Sequence, residues 1–362
     1  MLECPMEQVT ARNTGDVLRD SAGRRWKQLR SMLKGRRRLR SSDWSTIDTV
    51  NLRTDAVVQR KCFKKSYTMQ TVAPKQMPDW PKSVRSQLSG IRMLKVAPKS
   101  KRDEMYHELS LGLLLSGSHH ENIARVYPFF FQSFHQCGYL MEATPDTLLT
   151  YSKREVINGR SVRSDLQDII RGACEGLQLI HQLGFVHNAI QLDTILVQHC
   201  RDSLPVGKIS NFSSSLKNTT KMSKDELMTY IDTPMAAPEI LTSTVADGST
   251  VVTPSRKMDI WAMGICIWQV YSGCCPWKRA ALDGPDGCYT RFLKWLAIGS
   301  RRATTMLPSS MERLSDDLVY LISQMLLPQA KYRWGLCQVI DFLGVETIYT
   351  ENALGTHDTL GL

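Results

Sequence analysis

From Ile91 onward the apolar positions recur regularly enough to predict elements. In IRMLKVA, 91–97, apolar and polar residues alternate with the period of a strand. MYHELSLGLLL, 105–115, predicts a helix largely buried against its neighbours. Two more strands are expected, around Ala124 to Phe131 and Gln136 to Glu142. Leu166, Ile169, Ile170, Ala173, Leu177 and Ile180 recur at helical spacing, so a long amphipathic helix follows, and Gly184 ends it. RKMDIWAMGICIWQVYSG predicts a strongly apolar helix, and SDDLVYLISQMLL another that begins at a capping Ser315. Strands first and helices after predict an α+β fold with a small β-rich part, about 66–142, and a larger helical part, about 143–345.

The flanks read differently. Residues 1–65 combine charge, serine and threonine with little periodicity, which predicts a disordered or loosely helical extension. Within it Trp26, Leu29 and Leu33 could line one face of a short basic helix. TVAPKQMPDWPKSV carries three prolines that interrupt strand pairing, and it receives no firm element. Residues 346–362 read as a short tail.

Charge and cysteine content narrow the classes. The net charge of +11 is concentrated where Arg24, Arg25, Lys27, Arg30, Lys34, Arg36, Arg37, Arg38 and Arg40 crowd together. Such an arm can bind nucleic acid or an anionic membrane through Arg36, Arg37, Arg38 and Arg40, and it also resembles a nuclear-import patch; a solvated tail is the plainer alternative. No apolar run approaches the roughly 20 residues needed to cross a bilayer, and the first residues have no basic start followed by an apolar stretch. A soluble cytoplasmic protein is expected, with nuclear entry as the variant. The ten cysteines have no paired spacing beyond Cys274 and Cys275, which predicts reduced thiols and neither a disulfide framework nor a metal site.

Three segments carry chemistry. GFVHNAIQLDTILV at 184–197 is followed by KISNFSS at 208–214 and MAAPEI at 235–240. In this order they resemble the catalytic core of a eukaryotic protein kinase, in which a His-Arg-Asp loop precedes Asp-Phe-Gly and an Ala-Pro-Glu triplet. Here the triplets read His187-Asn188-Ala189, Asn211-Phe212-Ser213 and Ala237-Pro238-Glu239. Asp259, Trp261 and Gly264 resemble the family's Asp-x-Trp-x-x-Gly helix, and Arg333 the arginine that pairs with the Ala-Pro-Glu carboxylate. LKVAPKSKRDEMYHELSLGLLLSGS, and GCCPW followed by RFLKWLAIG, look most like the SH3-binding-domain kinase family.

The resemblance implies a bilobal kinase-like fold whose chemistry has been dismantled. Phosphoryl transfer needs positioned phosphates, magnesium and a carboxylate to receive the hydroxyl proton. The proton acceptor falls on Ala189, the loop lysine on Gln191 and the metal-binding asparagine on Thr194. Asn211, a neutral amide, stands at the magnesium-chelating position, where hard cations prefer carboxylates. Upstream of Lys95 no GxGxxG occurs, and Asp232 stands where the family usually keeps a threonine.

Lys95 and Glu108 are retained, and the resemblance implies a buried pair; an exposed surface pair is the alternative. Met93, in place of a small alanine, should crowd a nucleotide, and Met141, Glu142 and Leu196 complete the candidate nucleotide contacts. His187, Phe212, Asp259, Glu239 and Arg333 are expected to be structural. No cofactor and no metal is expected, ATP with magnesium binding weakly at most. The reading is a pseudokinase that binds a protein partner. The alternatives are a weakly active serine/threonine kinase using Lys95, Asn211 and a carboxylate such as Asp193, or binding through the basic arm.

Overall fold

The computed structural model describes residues 60–61, 68–72, 92–132, 135–144, 146–157, 163–199, 204–232, 235–242, 251–272 and 315–345. The expectations for the basic arm, the proline-rich window before Gly90, Cys274, Cys275, the GCCPW and RFLKWLAIG segments and the final tail lie outside these residues.

The described residues fall into two compact units, one made of those up to residue 144 with Lys208–Ser215, the other of the remaining described residues. The first unit is built on strands β1 (Arg60–Lys61), β2 (Thr68–Val72), β3 (Arg92–Pro98), β4 (Val126–Gln132) and β5 (Gln136–Glu142), with helix α1 (Arg102–Ser116). The sheet order is β1-β2-β3-β5-β4, antiparallel throughout. Arg60 and Lys61 pair with Met69 and Thr68, so the sheet takes in residues assigned to the N-terminal extension by composition.

β3 departs from the alternation read in its sequence. It is flanked by β2 and β5 and packed against α1, and every residue from Met93 to Ala97 is buried. A central strand covered on both faces shows no polar side, and Lys95 satisfies that burial by pairing. β4 starts two residues later than expected, because Ile123 bridges to Ile209 and Ala124 N–H donates to Ile209 O at 2.9 Å.

Helix α1 begins with Asp103 and Glu104 in its first turn, where carboxylates complement the helix dipole. Its Gly112 is there for closeness: an added Cβ would lie 2.6 Å from Val126 Cγ2 and 3.5 Å from the Phe212 ring. That contact brings the 3₁₀ turn Phe212–Ser214 against the helix.

The second unit has strands β6 (Asp146–Thr147), β7 (Phe185–Val186), β8 (Ile195–Gln198), β9 (Val206–Ile209), β10 (Leu216–Lys217), β11 (Met222–Ser223) and β12 (Val251–Val252), β9 carrying the chain across to Lys208. Its helices are α2 (Leu148–Ile157), α3 (Arg163–Gln182), α4 (Lys224–Met228), α5 (Pro238–Thr242), α6 (Arg256–Ser272), α7 (Asp316–Met325) and α8 (Leu336–Leu343). The periodic residues of α3 are buried, and Gly184 follows it at φ +82°, a conformation open to a residue without Cβ. α6 is buried nearly all round, with Trp261 and Trp268 among the largest enclosed side chains. Ser315 caps α7 by accepting from Leu318 N–H.

Cys137, Cys174 and Cys266 are buried, and burial pushes the Cys137 and Cys174 thiols up to about 11 and about 12. Among the described residues no helix is long and apolar enough to cross a membrane.

Candidate functional site

In the first unit, the candidate chemistry gathers around Lys95. Its ammonium donates to both carboxylate oxygens of Glu108, at 2.7 and 2.6 Å, and to Asn211 Oδ1 at 2.8 Å. Lys95 is 2% exposed and Glu108 0%, so the pair is fully withdrawn from water. The three contacts take up the three N–H donors that a lysine has.

Asn211 sits at φ 65°, in the left-handed region that asparagine enters more readily than most residues. Its Oδ1 also receives Ser213 Oγ at 3.3 Å. Beyond it, His107 Nε2 donates to Ser215 O at 2.9 Å, a second tie between α1 and this segment.

The other first-unit candidates have structural partners. Met93 and Met141 face each other across β3 and β5, and both are buried. Glu142 accepts from Arg125 N–H at 2.8 Å and from Lys208 Nζ at 3.2 Å, so its carboxylate is already engaged. Leu196 belongs to the second unit, buried in β8 opposite Thr147.

In the second unit, the loop after β7 is held by one carboxylate. Asp259 accepts the backbone N–H groups of His187 and Asn188, at 2.7 and 2.8 Å, and His181 Nε2–H at 2.8 Å. Asn188 takes a positive φ of 61° there, and His187 Nδ1 accepts from Ala189 N–H. Ala189 is buried, 4% exposed, and offers a methyl group. Thr194 Oγ1 makes short contacts to the carbonyl oxygens of Ala189 and Gln191, at 2.9 and 3.0 Å, and accepts Gln191 N–H at 3.0 Å. Gln191 Nε2 donates to Asp232 Oδ2 at 3.1 Å. Asp193 is exposed.

Farther along, Arg333 clasps Glu239 and also reaches the carbonyls of Leu327 and Lys257, its guanidinium lying 5.1 Å from the Trp261 ring. Lys257 donates to Arg333 O; burial first, and then the like charge of Arg333, hold its ammonium below the ordinary value.

A divalent cation does not fit what these residues offer. Asn211 contributes one neutral oxygen, and that oxygen already accepts two hydrogen bonds. The Thr194 hydroxyl is spent within its own loop. Hard cations need oxygen ligands with free lone pairs and bind most strongly where carboxylates supply them.

The sequence profile of the protein kinase domain matches residues 82–342. The chain belongs to the protein kinase domain family. It is 25% identical over 239 residues to the Caenorhabditis elegans protein C01C4.3, whose name describes a serine/threonine-protein kinase; the match covers 66% of this chain and 55% of that protein. It is also 25% identical over 170 residues to serine/threonine-protein kinase SBK1 of Danio rerio, covering 46% of this chain and 40% of the relative. For SBK1 of Mus musculus the figures are 25% over 169 residues, 46% and 36%. The matched region thus spans about half or less of each relative's length. These relatives accord with the resemblance to the SH3-binding-domain kinases, and the α+β kinase fold is that of the family.

Two ties were missed by sequence reasoning. The Lys95–Asn211 bond joins residues 116 positions apart, and no local pattern announces it. The signal for His181 was present: it lies in the last turn of the periodic helix, six residues before His187, but histidine at a helix end has many uses.

Proposed function

We propose that this chain is a catalytically inactive member of the protein kinase domain family that acts by binding a protein partner. The observation that carries the reading is Ala189, a buried methyl group at the position to which the resemblance assigns the family's proton-accepting carboxylate. Loss of general-base help alone costs about two to four powers of ten in rate. Thr194 and Gln191, the loop's other altered positions, turn their side chains to local hydrogen bonds. The Lys95–Glu108 pair then has a structural value: it fixes α1 against the sheet and gives the first unit a defined surface.

The retained pair also favours a second reading, a weakly active serine/threonine kinase. A phosphotransfer assay with ATP and magnesium separates the two, run on the purified chain with generic protein substrates and with the chain as its own substrate. No incorporation above a protein-free blank is expected. Magnesium-dependent incorporation that Lys95→Met abolishes would replace the first reading by the second. Binding of nucleic acid or an anionic membrane by Arg36, Arg37, Arg38 and Arg40 is a separable proposal, supported by their charge density; it predicts affinity that falls steeply with salt.

A further inference from the structure

The Asn211 side chain is oriented by chemistry. An ammonium cannot accept a hydrogen bond, so the amide must turn its oxygen to Lys95 Nζ, 2.8 Å away, and its NH₂ away from it. That NH₂ is buried and, among the described residues, has no hydrogen-bond partner. Both lone-pair directions of the oxygen are filled, by Lys95 and by Ser213. Lys95 in turn forms an ion pair with the buried Glu108 carboxylate.

We infer that the Lys95 ammonium serves as the resident cation of this site, and that the first unit is locked around it without metal. The inference rests on the inactive reading above and deepens it, because it states how the site is regulated: it is blind to divalent cations. A metal ion would have to displace an ammonium from a neutral oxygen while Glu108 still holds that ammonium from the other side. Lys95 therefore joins β3, α1 and the Asn211 turn in one three-way clasp, and His107 adds the bond to Ser215 O. A partner that reads the α1 surface would find the same surface with or without magnesium.

The buried NH₂ makes the substitution Asn211→Asp informative. It replaces an unpartnered donor with an unpartnered anionic oxygen, nearly isosterically, in a cluster that then has two carboxylates and one ammonium. Such a site carries a net charge of −1, which favours a divalent cation.

The experiment is a thermal-unfolding titration of the full chain with manganese or magnesium chloride, against EDTA, and with ATP in each buffer. The wild-type midpoint is expected to be the same in all metal conditions, with or without ATP. Asn211→Asp is expected to unfold several degrees lower in EDTA and to recover saturably with manganese. A metal-dependent rise in the wild type, or a folded Asn211→Asp that ignores manganese, would overturn the inference.

Should Asn211→Asp not fold, Asn211→Gly keeps the positive φ and removes the amide. Hydrogen exchange across 102–116 and 208–215 should then accelerate together, and unchanged protection there overturns the clasp. Phosphotransfer measured on the same samples keeps the two readings apart. A wild-type metal response without phosphotransfer sinks the clasp alone, and magnesium-dependent phosphotransfer sinks the inactive reading.

Discussion

Arg333 meets Glu239 through both terminal nitrogens, at 2.9 and 3.0 Å, and its side chain is 0% exposed while that of Glu239 is 27% exposed. The guanidinium is also held by Leu327 O through two nitrogens, at 3.1 and 3.0 Å. Removing one partner of a buried pair leaves the other charge uncompensated, at about 3–5 kcal/mol. Glu239→Ala and Arg333→Ala are each expected to destabilise the second unit by that order. Arg333→Ala should cost more, because it also unpairs backbone carbonyls and removes the group packed on Trp261. Denaturant midpoints of the two variants check this, and unchanged midpoints would remove the claim.

Gly207 is placed against backbone. A Cβ there would lie 1.9 Å from Ile169 O and 2.8 Å from its carbonyl carbon, so β9 passes helix α3 at a distance only glycine permits. At Gly112 the nearest atom is a side-chain methyl, Val126 Cγ2, which can turn aside. Gly112→Ala should therefore fall within the usual overpacking cost of about 1–3 kcal/mol, and Gly207→Ala should exceed it or prevent folding. Equal, small effects on urea midpoints in both variants would show that the strand can move off the helix.

The fold was legible where periodicity and punctuation agree. Leu166 to Ile180 and Gly184 define one helix and its end, and Ser315 followed by Asp316 and Asp317 defines the start of another. The pairing of Lys95 with Glu108 could be read only through the resemblance to the kinase family. β3 misled, since Lys95 looks like the polar face of an alternating strand until its two acceptors are seen. Arg60 and Lys61 could not be read as a strand, because two charged residues show no period; only pairing to Met69 and Thr68 defines them. At the candidate site the altered residue types were visible, but not how they are used. Whether Thr194 faces a ligand or its own loop depends on the backbone path from Ala189, and whether Asn211 offers its oxygen depends on a lysine far away in sequence.

Asp146 gives the second unit a share of its acid sensitivity. Its carboxylate, in β6, accepts from Thr150 Oγ1 at 3.1 Å, from His199 Nε2 at 2.9 Å and from Arg154 Nη1. Burial alone would raise its titration. The hydrogen bonds from His199 and Arg154, with the charge of Arg154, outweigh burial and hold the carboxyl below its ordinary 3.8. A carboxyl depressed in the folded state adds stability above the unfolded-state value, and that stability is lost as pH falls through the folded value. The contribution should therefore be complete from neutrality down to about pH 5 and fade below about pH 4. Arg154 and His199 are 43% and 40% exposed, so after solvent screening the effect should be about 1 kcal/mol. Asp146→Asn keeps the shape and removes the charge. Urea unfolding should place the variant below the wild type at pH 7, with the gap closing as the buffer is taken toward pH 3. A gap that stays constant over this range would mean that the Asp146 carboxylate is not held by Arg154 and His199.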